Sequence, residues 1–320
     1  MDGLVAAGTD HAVAIAARIA HRLGLPHPLQ PEAAALSVSK LRQRERLAAV
    51  GIGQPRSLAC RTAAEAAAAA AELGYPLVVE APNTVGERAV RLARTADELA
   101  AATAGALAES RGDYCLVEEL VGGRVVTVNA FSLGGRFVPL TVTDREQAPR
   151  PSFGETTAAA AAALGIEHGP VTAQLLLGDA GPLVAKVSAR LGGGHDAELC
   201  RAALGVDENA LAIAAALGEP VHAHELEPTT VAGGACVRFL VAPRGALVEV
   251  EGVEQAFTVG GVRAIRVYRR PGHVFGELLR ASDRAGMILA TGKTRAEADA
   301  AAAESARRVR FVTVPAEAVA

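Results

Sequence analysis

Three Thr-x-x-Glu boxes, Thr62 to Glu65, Thr95 to Glu98 and Thr294 to Glu297, fix where three helices of this chain begin. In each, the hydroxyl satisfies a backbone N–H that the first helical turn leaves open, and the carboxylate reaches back across the cap. Between the boxes the pattern is that of strands and tight turns. The helix 62–73 stops at Gly74-Tyr75-Pro76, and Leu77-Val78-Val79 reads as a strand. Cys115-Leu116-Val117, Val125 to Phe131 and residues 136–143 read the same way. Leu175-Leu176-Leu177 and Leu183 to Val187 flank Gly178-Asp179-Ala180-Gly181, a hairpin pattern. A parallel sheet would need a crossover between each pair of strands. The chain therefore reads as α+β built on antiparallel hairpins, not as a doubly wound sheet.

The ends follow the same logic. Leu4-Val5-Ala6-Ala7 reads as a short strand before a helix over 11–23 that stops at Gly24. A helical stretch covers 197–217, and Pro220 and Pro228 mark a boundary near 219–230. Residues 231–320 alternate short strands and turns before the helix 294–309.

Composition narrows the function. With 50% apolar and 21% charged residues, wholesale disorder is excluded. A net charge of −3 excludes a strongly basic nucleic-acid binder, and 3% aromatics without tryptophan leave little for stacking on bases. No run of 18 clean apolar residues is present, so no membrane span is expected. Met1-Asp2-Gly3-Leu4 lacks the basic start of a secretion signal, and a cytoplasmic protein is expected. Cys60, Cys115, Cys200 and Cys236 form no Cys-x-x-Cys pair and no zinc spacing, as expected for reduced, mostly buried thiols. Only Lys40, Lys186 and Lys293 are lysines among the 32 basic residues, which makes each one informative.

Several short motifs fail. Gly292-Lys293-Thr294 ends like a phosphate loop, but Met287 stands where the loop needs its first glycine. Gly51-x-Gly53 has Arg56 where a dinucleotide fingerprint needs a third glycine. His222-x-His224 is the closest histidine pair and reads as surface.

The order of the pieces carries more than any one of them. Lys40-Leu41-Arg42 leads to Gly51-Ile52-Gly53-Gln54-Pro55, the capped helix, Gly74-Tyr75-Pro76-Leu77-Val78-Val79 and Glu118-Glu119-Leu120-Val121-Gly122. Ala163-Leu164-Gly165, Gly169-Pro170-Val171 and Lys186-Val187-Ser188-Ala189-Arg190-Leu191-Gly192-Gly193 follow. Arg238-Phe239-Leu240, Pro243-x-Gly245, Asp283-Arg284-x-Gly286 and Gly292-x-Thr294-x-x-Glu297 continue the succession to the end. This order resembles the ATP-grasp ligases, most of all the branch with L-amino-acid ligases. The resemblance implies two α+β subdomains, a remnant N-terminal α/β domain and a C-terminal α+β lobe. The expected division is 1–35, 36–114 for the small subdomain, 115–225 for the large one, and 226–320 for the lobe.

The resemblance also implies a chemistry. Such enzymes hold ATP and Mg²⁺ between the subdomains, phosphorylate a carboxylate and let an amine displace the phosphate. Positioning and cation electrostatics do the work. On the adenine side this sequence matches: Glu118, Glu119 and Leu120 fall on the hinge, and Lys40 on an ATP-contacting lysine. Arg190 and Gly192-Gly193 match as well, with Arg190 catalytic if the enzyme is active.

The phosphate side departs from the pattern. Glu80 stands where the family has a lysine, and Glu87-Arg88-Ala89-Val90 replaces the small loop, so Glu80 and Arg88 are phosphate-side positions with the wrong chemistry. The metal-binding glutamates align with Gln174 and Lys186, the asparagine with Ser188, and the glutamate that often follows the hinge glycine with Arg124. A cation beside Lys186 would meet repulsion of about 4 kcal/mol per unit-charge pair at 4 Å and an effective dielectric near 20. No metal ligand set is expected, and Glu80 is expected to pair with Lys186 across the cleft. If metal ligands have moved, the candidates are Glu155, Asp179, Asp196 and Glu198. The resemblance further implies a first domain of about half the family's usual length, and a stretch from Phe153 to Gly165 that is expected to lack a helix of the substrate site.

The expected function is a degenerate ATP-grasp protein, without a confident cofactor, acting as a non-catalytic partner or scaffold of a biosynthetic ligase. A homo-oligomer, or a complex with an active relative, would cover surfaces that a shortened first domain exposes. The alternatives are an active ATP-dependent carboxylate–amine ligase and a metal-independent nucleotide-binding module.

Overall fold

The threonine caps form as the sequence requires. In the computed structural model, which describes residues 1–6, 8–82, 90–110, 113–144, 153–178, 181–278 and 280–316, each of the three threonines accepts from the N–H three residues on. The partner glutamates reach one residue further back than a capping box requires, to the N–H groups of Arg61, Arg94 and Lys293.

The elements run in the order α1 (Asp10–Leu23), α2 (Pro31–Val38), α3 (Lys40–Ala49), β1 (Ser57–Cys60), α4 (Ala63–Leu73), β2 (Leu77–Glu80), β3 (Val90–Ala93) and α5 (Ala96–Glu109). Next come β4 (Cys115–Glu119), β5 (Val125–Leu133), β6 (Arg136–Asp144), α6 (Phe153–Ala163), β7 (Gly169–Gly178) and β8 (Gly181–Ser188). They are followed by α7 (Asp196–Leu204), α8 (Glu208–Leu217), β9 (Gly234–Leu240), β10 (Gly245–Glu251) and α9 (Val253–Phe257). The chain closes with β11 (Val262–Val267), β12 (Val274–Phe275), β13 (Gly286–Gly292), α10 (Arg295–Arg308) and β14 (Arg310–Val314).

Two units divide the chain: Met1–Gly193 with Glu208–Leu226, and Gly194–Asp207 with Glu227–Ala320. The first unit holds two four-stranded sheets, ordered β1-β4-β2-β3 and β6-β5-β7-β8. Alanine-rich α4 and α5 cover one face of the former, and their small side chains let Leu73, Leu99, Leu77 and Val79 meet in one core. The latter sheet packs with α1, α2 and α6 around Val128, Leu164, Leu175 and Val187. In the second unit β11-β13-β9 and β12-β10-β14 form three-stranded sheets, with α10 against β9 and β13. Among the described residues every strand pairing is antiparallel, as the hairpin patterns require.

Two expectations about elements change. Residues 4–6 form no strand. Gly3 packs so closely on α8 that a Cβ would lie 2.3 Å from the Ala216 carbonyl oxygen, and Ala6 packs onto the core as irregular chain. The single helical stretch 197–217 is two helices, because Gly205 turns left-handed at φ 76° as the cap of α7. A Cβ there would sit 2.0 Å from the Thr229 hydroxyl, so only glycine fits.

Candidate functional site

The hinge lies on the face of the first sheet that α4 and α5 leave free. Alternation along β2 and β4 sends Leu77, Val79, Cys115 and Val117 to the helix-covered core. It sends Val78, Glu80, Leu116 and Glu118 to the opposite face, where Val78 pairs with Glu118 and Glu80 with Leu116. The two carboxylates are therefore diagonal neighbours on one face. The helix α3 supplies the countercharges. Lys40 donates to Glu80 and, at 2.8 Å, to Glu118. Arg44, one turn on, donates its Nε to Glu118 at 2.9 Å. Two acids and two bases balance in this cluster. Burial alone would raise the Glu118 carboxyl, but Lys40 and Arg44 outweigh it and hold it below the usual carboxylate range. Glu119 accepts from the N–H and the guanidinium of Arg56. The Leu120 N–H, a donor of the hinge, bonds to the Pro76 carbonyl at 3.2 Å.

The same helix closes the outer edge of β8. Gln43, 1% exposed, donates its amide to the Val187 carbonyl at 2.8 Å and accepts from the Val187 N–H at 3.0 Å. One side-chain amide thus takes the place of a neighbouring strand. Arg44 donates to the carbonyls of Val184 and Ala185 further along.

On β7 and β8 the three positions that the resemblance assigns to the metal side come together. Gln174 lies directly opposite Lys186, and Ser188 opposite Thr172. Lys186 does not reach across to Glu80, and the expected ion pair between them is absent. Each has a nearer partner: Glu80 accepts from Lys40, and Lys186 donates to Asp10 at 2.5 Å. The other Asp10 oxygen accepts from Arg190 Nε at 2.6 Å. Burial alone would raise the Asp10 carboxyl, yet the ammonium and guanidinium overcome it and bring it to about 2. A divalent cation does not fit this donor set. An ammonium stands in it, one amide replaces a carboxylate, and the nearby carboxylate is already held by two cations.

The remaining candidates disperse. Arg88 and Asp179 lie outside the described residues. Glu155 sits in the first turn of α6, and Asp196 and Glu198 in the first turn of α7. Glu198 accepts from Arg266 at 3.0 Å and shares a hydrogen bond with His195, whose other ring nitrogen lies 2.5 Å from the Tyr268 hydroxyl. Among the described residues no three histidine, cysteine or acidic groups gather where they could hold a metal. His222 and His224 stack on each other at the surface. No helix among the described residues is long and apolar enough to cross a membrane.

Asp10, Arg44 and Gln43 make contacts at this site that motif reading passes over. Arg44 and Gln43 belong to α3, whose cap Ser39 accepts from the Arg42 N–H. That cap was available as a signal, but arginine at position 42, where the box has glutamate, hides it. Asp10 follows Thr9 as an ordinary helix-start acid, and nothing local marks its distant partners.

Comparison with known proteins agrees with the ATP-grasp fold. Residues 238–314 match the family described as L-amino acid ligase C-terminal domain 2, and residues 39–130 match the ATP binding domain of the carbamoyl-phosphate synthase L chain. The uncharacterized protein y4rH of Sinorhizobium fredii is 29% identical over 317 residues, which cover 92% of this chain and 65% of that protein. The chain thus spans under two thirds of that relative's length. The crystal structure of L-amino acid ligase from Bacillus licheniformis superposes with a TM-score of 0.79 at 21% identity, covering 98% of this chain and 81% of that one. Phosphoribosylglycinamide synthetase from Anaerococcus prevotii gives 0.75 at 17% identity, covering 98% and 83%. Biotin carboxylase from Campylobacter jejuni, solved with β-γ-ATP, gives 0.75 at 16% identity, covering 94% and 73%.

Proposed function

We propose that this chain, which has the ATP-grasp fold and is L-amino-acid-ligase-like, does not run Mg²⁺–ATP chemistry. It serves as a non-catalytic partner or scaffold of an amide-forming ligase. One observation carries the reading: the cations of the nucleotide side are already bound to the chain's own carboxylates. Lys40 is held by Glu80 and Glu118, and Lys186 and Arg190 by Asp10. A polyphosphate would have to break these pairs and face Glu80, while the position that should attract a metal carries an ammonium. The hinge N–H of Leu120 is likewise bonded within the chain, which weighs against the metal-independent nucleotide module.

The partner side of the proposal rests on surface. The edge strand β3 leaves Val90 and Leu92 exposed on one face, beside Glu80 and Val78 of β2. A second copy, or an active ligase relative, would cover them. A cytoplasmic location belongs to the same proposal.

Calorimetric titration with ATP, first with Mg²⁺ and then with EDTA, tests it. No heat in either condition is the expected result. Tight Mg²⁺-dependent binding would overturn it in favour of an active carboxylate–amine ligase, the reading that the likeness to L-amino acid ligases supports. Size-exclusion chromatography tests the partner side, and a stable monomer that captures no ligase relative would overturn it.

A further inference from the structure

Two of the four thiols face each other. The strands β1 and β4 pair antiparallel, and Cys60 lies directly opposite Cys115 in their register. Both side chains belong to the core that α4 and α5 cover, with Cys60 1% exposed and Cys115 fully buried. The Glu119 N–H bonds to the Arg56 carbonyl at 3.0 Å, and alternation along the ladder then makes Cys60 and Cys115 a hydrogen-bonded pair. Such pairs hold their Cα atoms about 5.5 Å apart, inside the window of about 4.4–6.8 Å that a disulfide accepts. The Cys115 sulfur already reaches across, 3.4 Å from the Cys60 carbonyl oxygen. Cys200 and Cys236 belong to the other unit.

Access is what keeps the closed pair from oxidants. Burial first, then Cys115 and Glu65, pushes the Cys60 thiol up to about 11, so thiolate is scarce in the closed sheet at neutral pH. Yet β1 is an edge strand of four residues, and Cys60 is its last. Opening the end of a short edge strand needs only part of the free energy of global unfolding. The strand β4, by contrast, is held between β1 and β2.

We propose that Cys60 and Cys115 are an oxidant-responsive pair, which forms a cross-strand disulfide when the end of β1 opens to a small disulfide such as oxidised glutathione. The Cys60 thiolate attacks one sulfur of the reagent, and the first glutathione leaves as a thiolate. The Cys115 thiolate then attacks the Cys60 sulfur of the mixed disulfide, and the second glutathione leaves. The two thiol protons of the protein end on the two departing thiolates. The protein sulfurs are oxidised and the glutathione disulfide is reduced. Cys115 follows Cys60 by 55 residues, so the bond closes a loop that holds α4, β2, β3 and α5. It pins that loop at the start of the strand that carries Glu118 and Glu119. Closing a loop of this length restricts the unfolded chain, so the oxidised protein is the more stable form, with β1 locked onto β4. The inference does not depend on whether the chain binds nucleotide.

The test uses the unaltered protein. It is incubated with oxidised glutathione at mildly alkaline pH, without urea and in urea well below the unfolding midpoint. Acid stops the reaction, and intact mass and peptide mapping without reductant read the product. The expected product is one intramolecular disulfide joining Cys60 to Cys115, with the mass lower by two hydrogens. It should form several-fold faster in the dilute urea, be reversed by dithiothreitol, and raise the melting temperature by several degrees. Cys115→Ala should stop the reaction at a mixed disulfide on Cys60, and Cys236→Ser should leave the rate unchanged. Four free thiols after both incubations overturn the proposal, as does a disulfide that joins any other pair. An oxidised protein that melts no higher than the reduced one overturns the locking of β1, and equal rates with and without urea overturn its opening as the gate.

Discussion

Glu118 and Asp10 each accept from one lysine and one arginine, yet their surroundings differ. Glu118 is 5% exposed in the middle of a sheet, and Glu80 joins it, so two acids meet two bases. Asp10 sits at a helix start with Lys186 partly open to water, and among the described residues no second acid pairs with its two cations. In the first cluster a missing member leaves a buried charge with nowhere to go. In the second, water and ions can take over part of the work. The same pair of contacts is thus buried in one place and partly open to water in the other, and charge balance and access distinguish them.

Breaking the buried cluster should have the largest effect. Glu118→Gln strips Arg44 and Lys40 of their shared acceptor and should cost roughly 3 kcal/mol or more of unfolding free energy, read from urea melts at neutral pH. A loss under about 1 kcal/mol would erase the distinction between the clusters. Asp10 comes next, and acid is the probe. Its folded pKa is lowered from 3.8 to about 2, so the stability it contributes is present above pH 3.8 and is lost as pH falls toward 2. The shift corresponds to about 2 kcal/mol. Urea melts at pH 5 and pH 2.5 should show a smaller drop for Asp10→Asn than for the unaltered protein, and equal drops would deny Asp10 its pairs. The smallest effect belongs to Lys186→Met. Because Lys186 is more than a third exposed and Arg190 keeps its bond to Asp10, the cost should stay under about 1 kcal/mol and shrink further in 0.5 M salt. Lys40→Met should cost more than Lys186→Met in the same melts, since Lys40 is 13% exposed and joins both acids.

Much of this frame is legible locally. The threonine caps, the antiparallel hairpins and the stop at Gly24 each depend on residues a few positions apart. Gln174 and Lys186 could be placed together because one hairpin holds both. What the sequence hides is the choice of partner at long range. Lys186 and Glu80 have opposite charges and suitable family positions, but charge carries no direction, and Lys40 and Asp10 lie nearer. The break at Gly205 is hidden for a related reason: alanines on both sides favour helix, and the obstacle to a side chain is Thr229, from a later loop. The helix α3 escapes because Ser39 caps it without the glutamate that makes such caps visible.

Gln43 has a consequence for colloidal behaviour. Its amide occupies both bonding groups of Val187 at the outer edge of β8, and a strand edge left open is a template onto which other chains assemble. Gln43→Ala should therefore appear first as light scattering at temperatures where circular dichroism still reports a folded chain. One buried side chain closes a stretch of strand edge that would otherwise be open to another chain.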